Sequence, residues 1–402
     1  MARINPFKAL LPQKGLEVKV SANTHVDDLK RQTEIVNTNP LTYLNVVKPY
    51  LRFNEAKDPA RHFPYAKSSL RDLIGQKAMY QDSEECFYIY FQTDKNHTHE
   101  FMGLIATLPV EDYYNGKIKI HEKTLTEKEE QLILHIENSG AIGEPVLITH
   151  PKSQDILDAL IQLAEKSEEI MHFDDEINRH HRLIRINDPA QIAQLKDAYA
   201  SVKDFYIADG HHRSSASAGY FKKHNIIDGH YLAYIVPPGY LKIGSFYRAY
   251  KSLGKFDANH FLNLMKEEFE IETCDSCFNP EDVKTFGLLI GENWYRLKYK
   301  GSSEGLNSVE SLDVSILEEH VFKQKLNIHD SKTDKQLSFL KGTMPNEVLI
   351  NEMKAGLYDA VFTVHPCTIQ EVFAVADEGL IMPPKSTFIE PKLRTGLTVQ
   401  LV

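Results

Sequence analysis

The segment Phe205-Tyr206-Ile207-Ala208-Asp209-Gly210-His211-His212-Arg213 constrains this chain more than any other. An apolar run of β-forming residues ends in an acid and a glycine, and the small residues Ser214 to Tyr220 that follow suit a helix. A strand that turns into a helix through Asp-Gly makes a corner suited to an anion. Gly210 lets the backbone approach a phosphate closely. The helix start offers unpaired N–H groups and the positive end of the helix dipole. Arg213 adds a planar fork for phosphate oxygens, and Asp209 is an acid of the kind that orients a metal ion or a hydroxyl. The plainer account makes Asp209 a helix cap and the histidines surface residues. His-His-Arg directly after the glycine favours the anion corner.

The 402 residues around this corner allow two or three domains. Asp27 to Val36 and Ser68 to Lys77 read as helices, and Cys86 to Phe91 with Phe101 to Pro109 as a hairpin around the polar Thr93-Asp94-Lys95-Asn96. Lys117 to Ile120 is a short strand. Thr124 and Glu127 match the capping-box pattern ahead of a helix that stops at Asn138-Ser139-Gly140. Pro145 to Thr149, Leu183 to Ile186 and Tyr231 to Val236 are expected strands. Ser153 and Asp188-Pro189 open further helices. His180-His181-Arg182 reads as a surface turn entering a strand. Beyond residue 250 come helices at Asn259 to Phe269, Val314 to Gln324 and Thr368 to Ala376, with strands at 287–290, 294–298 and 360–364.

Composition excludes several function classes. Lys+Arg total 46 against 56 Asp+Glu, a formal charge of −10, which argues against a nonspecific nucleic-acid binder. No apolar stretch approaches the roughly 20 residues of a membrane span, and Met1 to Phe7 carries no secretory h-region, so a cytoplasmic protein is expected. Cys274-Asp275-Ser276-Cys277 is a lone CxxC without the second pair a structural zinc needs. Neither a Walker GxxxxGK[ST] nor a GxGxxG is present. His121-Glu122 sits between a short strand and a helix, and Glu is a residue type able to take a proton from a hydroxyl. The tail adds Met382-Pro383-Pro384-Lys385-Ser386-Thr387 and Glu390-Pro391-Lys392-Leu393, where Lys385 and its hydroxyl neighbours could face a phosphate.

The order His121-Glu122, helix, Ser139-Gly140, Glu144-Pro145-Val146-Leu147, then strand-Asp209-Gly210-His211-His212-Arg213-helix resembles the ParB/sulfiredoxin-like superfamily, and within it the free serine kinases. Over its whole length the chain resembles the domain-of-unknown-function 1015 family. The marks are Pro6-Phe7, His121 to Thr124, Ile207 to Arg213, Leu312 to Leu317 and Met382 to Leu397.

The resemblance implies an α+β protein. A ParB/sulfiredoxin-like phosphotransfer core over residues 101–250 would be elaborated by an N-terminal α/β segment at 1–100 and a C-terminal one at 251–402. It implies catalytic roles for Glu122, Asp209, His211 and His212, with Glu122 as the base on a substrate hydroxyl. Gly210, Arg213, Ser139, Gly140 and Lys385 would bind nucleotide or phosphate, and Asp209 would hold Mg²⁺. The expected partners are a nucleotide, ATP or ADP, and a small hydroxyl substrate such as free L-serine, with no nucleic acid and no membrane. The alternative is a non-catalytic nucleotide-binding regulator on the same core. Four departures are visible. His211 replaces the reactive cysteine of sulfiredoxins. No basic helix-turn-helix follows residue 230. A helix at Ser153 to Ile170 with a polar stretch lengthens the path from Glu122 to Asp209. Where many members have an acidic Pro-Pro-Tyr-Asp-like segment, this chain reads Ser21-Ala22-Asn23-Thr24-His25.

Overall fold

The computed structural model describes residues 3–25, 28–53 and 59–402. These form two compact units. One comprises residues 1–241 with 391–402, and the other residues 242–390. Helices and strands are mixed in both, so the chain is α+β. The expected boundary at residue 100 falls inside a hairpin, because the aromatic runs on either side of it pair with each other. Residues 391–402 belong to the first unit and not to the second.

In the first unit Asp28 caps helix α1 (Leu29–Thr38), its side chain accepting the Arg31 N–H; the expected first residue of that helix, Asp27, lies outside the described residues. Pro64 opens α2 (Pro64–Gly75) at a position where a missing N–H costs nothing. Strands β1 (Phe87–Thr93) and β2 (Glu100–Pro109) are buried almost throughout, which explains their unbroken apolar runs. They belong to an eight-stranded sheet with β3 (Ile118–Lys119), β4 (Val146–Thr149), β5 (Glu168–Asp174), β6 (His180–Ile186), β7 (Phe205–Asp209) and β8 (His230–Ile235). Its order is β3-β7-β4-β8-β2-β1-β6-β5. The pairs β7/β3 and β8/β4 are parallel and the rest antiparallel.

The unit also holds helices α3 (Thr126–Ser139), α4 (Gln154–Lys166), α5 (Pro189–Tyr199) and α6 (His211–Lys223). Ser153 and Asp188 cap α4 and α5 as the sequence leads one to expect. Three expectations need correction. Thr124 and Glu127 form no capping box, since α3 begins at Thr126 with Leu125 as its N-cap residue. His180-His181-Arg182 is not a turn but the start of β6, with His181 buried. The helix expected at Ser153 to Ile170 ends at Lys166, and Glu168–Asp174 is the edge strand β5, paired along β6.

The second unit is an antiparallel sheet of β9 (Phe246–Tyr250), β10 (Phe269–Cys274), β11 (Thr285–Ile290), β12 (Asn293–Tyr299), β13 (Leu337–Lys341) and β14 (Ala360–Val364), ordered β10-β12-β11-β14-β9-β13. The helix expected at Asn259 to Phe269 ends at Met265, and Phe269 starts β10. Thr368 and Glu371 form a reciprocal capping box at the helix Ile369–Asp377. Phe286, Leu288, Phe362, Leu317 and Val321 lie at the centre of its core.

Candidate active site

β7 delivers Asp209 to the end of the sheet, and Gly210 turns the chain directly into α6 with φ +96° and ψ 31°. Few residues other than glycine adopt that left-handed conformation without strain. Arg213, one turn into the helix, folds back over the glycine. A Cβ placed on Gly210 would stand 2.7 Å from Arg213 Nη2.

Two carboxylates hold that guanidinium. Arg213 Nη1 donates to Glu144 Oε1, and Nη2 donates to Asp209 Oδ2 at 3.2 Å. Each acid has a second basic partner. Lys392 Nζ donates to Asp209 Oδ1 at 3.0 Å, and His25 Nε2 lies 3.1 Å from Glu144 Oε1. Burial alone would raise both carboxyl pKa values. For Asp209 it is outweighed by Lys392 and Arg213, which hold it well below the carboxylate range, and for Glu144 by Arg213 and His25, which lower it. Arg213 Nε is buried without a hydrogen-bond partner among the described residues.

The two histidines after the glycine have separate tasks. His211 is buried, and its Nε2 accepts the His121 N–H at 3.3 Å. A nitrogen that accepts leaves the proton on the other one. His211 Nδ1 therefore carries the hydrogen, and it lies 3.6 Å from Glu122 Oε2. Burial, then the neighbouring His121, pushes the His211 pKa well down, so this ring is neutral. The His121 ring stands edge-on to it, with centroids 4.5 Å apart. Burial lowers His121 to about 4, with Asp209 opposing. His212 Nε2 accepts the Leu125 N–H at 3.1 Å, and so satisfies a donor at the start of α3 that the expected Thr124 cap does not reach.

Helices α3 and α6 lie side by side and run parallel. His212 meets Leu125, Ser215 Oγ donates to Glu129, Ile133 packs at Gly219, and Lys223 and His224 pair with Glu137. Both N-termini thus face the corner. Ser139 and Gly140 fall at the opposite end of α3, roughly 20 Å along a helix of this length. There Gly140 is the left-handed C-cap, and Ser139 Oγ donates to the Ala141 carbonyl. They are not gathered into the corner. Lys385 belongs to the second unit, where its Nζ lies 5.1 Å from the centre of the Phe246 ring and its carbonyl accepts from Arg248 Nη2.

Glu122, Asp209, Gly210, His211, His212 and Arg213 do come together. Glu144, Lys392 and His25 join them without having been singled out. Glu144 stands in the quoted Glu144-Pro145 run, and Lys392 in the Pro391-Lys392 pair, so both were within reach of a motif search. His25 occupies the place of the missing acidic segment and offered no signal.

Among the described residues no three His, Cys, Asp or Glu side chains gather as a metal site. A protein-built cage is therefore absent from the corner, whose Asp209 and Glu144 are already ion-paired. Mg²⁺ arriving on nucleotide phosphates needs only one or two carboxylates. Among the described residues no helix is long and apolar enough to cross a membrane.

The model of the family described as "Protein of unknown function (DUF1015)" matches residues 4–315. The chain belongs to that family. The match includes the whole corner except Lys392. No curated protein matches the sequence. Among solved structures, this family member is similar to a free serine kinase in complex with AMP, with 17% identity and a TM-score of 0.35 over 72% of this chain and 88% of that one. It is similar to SbnI with a C-terminal truncation from Staphylococcus aureus, with 14% identity and a TM-score of 0.39 over 74% and 87%. A conserved hypothetical protein from Pyrococcus furiosus has 16% identity and a TM-score of 0.33 over 72% and 90%.

Proposed function

We propose that this protein is a phosphotransferase that moves a phosphoryl group from a nucleotide, ATP or ADP, to a small hydroxyl compound, with free L-serine giving O-phosphoserine as the first candidate. The observation that carries the reading is the approach of Glu122 to a neutral, fixed His211 at the mouth of a glycine-arginine helix corner. A base, a phosphate cradle and a fixed orienting group are the parts that phosphoryl transfer needs, because its catalysis is mostly positioning and charge stabilisation. The order of motifs shared with the free serine kinases supports the same assignment.

In this scheme the His211 Nδ1–H orients the Glu122 carboxylate. Glu122 takes the proton of the substrate hydroxyl as that oxygen attacks the terminal phosphorus. The new P–O bond forms while the bond to the nucleotide oxygen breaks, and the shortened nucleotide leaves with the electron pair. The first N–H groups of α6, Arg213 and Lys392 meet the phosphate charge. Mg²⁺, when bound with the nucleotide at Asp209, supplies further charge neutralisation.

The test is to incubate the protein with L-serine, Mg²⁺ and ATP or ADP and follow phosphoserine by phosphorus NMR. Turnover that disappears in Glu122→Gln while nucleotide binding persists supports a kinase. Nucleotide binding with no phosphorylation across a panel of hydroxy amino acids turns the reading to the regulator, which needs Gly210 and Arg213 but no base.

A further inference from the structure

Three pieces of chain distant in sequence are stitched together beside the corner. Ala22 and Thr395 exchange backbone hydrogen bonds, at 3.0 Å and 2.9 Å, and the Gly396 N–H donates to the Gly143 carbonyl at 2.8 Å. Thr395 Oγ1 donates to the same carbonyl at 3.2 Å. Each piece carries one charged or titratable side chain into the corner. Residues 21–25 bring His25, residues 143–144 bring Glu144, and residues 391–396 bring Lys392.

What fixes the last piece is Arg394, two residues beyond Lys392 and 1% exposed. Its Nε donates to Ser21 Oγ at 2.8 Å and its Nη2 to the Ser21 carbonyl at 2.8 Å. Its Nη1 donates to Asp175 Oδ2 at 3.3 Å and Glu176 Oε2 at 2.8 Å. Asp175, fully buried, is itself fixed. It accepts the Ile177 and Arg179 N–H groups at 3.0 Å and 2.9 Å, and lies 3.2 Å from His181 Nε2. His181 Nδ1 is 2.7 Å from the Tyr90 hydroxyl, and Gln92 Nε2 donates to the Lys392 carbonyl. A buried ionic network of this kind is weak evidence for stability, since apolar residues of similar volume often serve as well. Placing a charge is what such a network does and an apolar cluster does not.

We propose that Arg394 is a positioning residue that, through Ser21 and Asp175, clamps the 391–396 segment so that Lys392 is held on Asp209 and completes the phosphate side of the corner. The phosphate role of Lys392 rests on the proposed function; the clamping of Lys392 against Asp209 does not.

The experiment reads both separately. The full-length protein, labelled with ¹³C at the side-chain carboxyl of aspartate, is compared by NMR at pH 7.5 in the wild type and in Lys392→Met, Arg394→Met and Arg394→Lys, reading the Asp209 carboxyl resonance. ADP binding is measured by calorimetry in parallel. Losing Lys392 should shift the Asp209 carboxyl resonance. Arg394→Met should shift it in the same direction and as far, with partial return in Arg394→Lys. ADP affinity should fall about tenfold in Lys392→Met, the worth of one charge-assisted hydrogen bond. It should fall by a similar factor in Arg394→Met, with no further loss in the double variant. An Asp209 resonance unmoved by Arg394→Met, or an unchanged ADP dissociation constant with only a reduced number of competent sites, overturns the clamp. Should Arg394→Met not fold, Arg394→Lys and Ser21→Ala carry the same comparison. If the wild type binds no ADP, the proposed function fails, and the Asp209 resonance still decides the clamp.

Discussion

The Arg213 guanidinium lies directly over Gly210, so near that a Cβ on the glycine would stand 2.7 Å from Nη2 and 2.8 Å from Nε. Gly210→Ala therefore carries two costs. The backbone at φ +96° is strained for any residue with a Cβ, by about 1–2 kcal/mol. The arginine must also swing away from Glu144 and Asp209. Urea denaturation should show a lower midpoint, and nucleotide titration a weaker affinity. A midpoint and affinity equal to wild type would mean that the corner does not need its glycine.

Acid should destabilise the protein well before its carboxylates protonate. Burial lowers His121 from 6.5 to about 4 and depresses His211 well below 6.5. Burial also lowers His135, His150 and His181. Each is neutral when folded and charges more readily when unfolded. The unfolded chain thus binds more protons as pH falls below 6.5. Stability is complete above that value and declines toward pH 4. Denaturation midpoints measured from pH 7.5 to 4.5 should drop steadily. Replacing His121 with Asn should flatten the slope, and an unaltered slope would show that His121 does not stay neutral in the fold.

Asp175→Asn probes the network behind Lys392. Its carboxylate is fully buried, and burial alone would raise its pKa. His181 and the Arg179 and Ile177 N–H groups outweigh burial and hold it at about 2. Its contribution is present above the ordinary aspartate value of 3.8 and fades as pH falls toward 2. Removing the charge leaves buried Arg394 with Glu176 as its charged partner beside the neutral Ser21, at a cost of about 3 kcal/mol at pH 7. Chemical denaturation at pH 7 should show that loss, and the gap to wild type should close below pH 3.

What could be read in the sequence was local. Asp188-Pro189, Ser153 and the strand-Asp-Gly corner are set by neighbours a few residues away, and each stands where its pattern points. No capping box forms at Thr124 because the helix starts at Thr126, and the Leu125 N–H at its N-cap is bonded by His212, 87 residues on. His181 looked like part of a surface turn because its neighbours are polar, yet Asp175 and Tyr90 make its burial tolerable. Lys392 reaches Asp209 across 183 residues, a pairing that no spacing rule encodes. The charged groups that convert a glycine corner into a candidate site were the part hidden from a linear reading.

The two nitrogens of His211 can be tested apart. Nε2 accepts the buried His121 N–H, a structural duty, while Nδ1 points at Glu122, the duty assigned to turnover. Glutamine places an acceptor near the Nε2 position and asparagine places a donor near Nδ1. His211→Gln should keep its stability within about 1 kcal/mol but lose turnover by roughly 10²-fold, because Glu122 loses its orienting donor. His211→Asn should lose about 1–3 kcal/mol, the cost of a buried N–H left unpaired, while retaining more turnover than the glutamine variant. Thermal unfolding and steady-state phosphoserine formation read the two effects. Equal turnover in both variants would show that the Nδ1 contact with Glu122 plays no part in the chemistry.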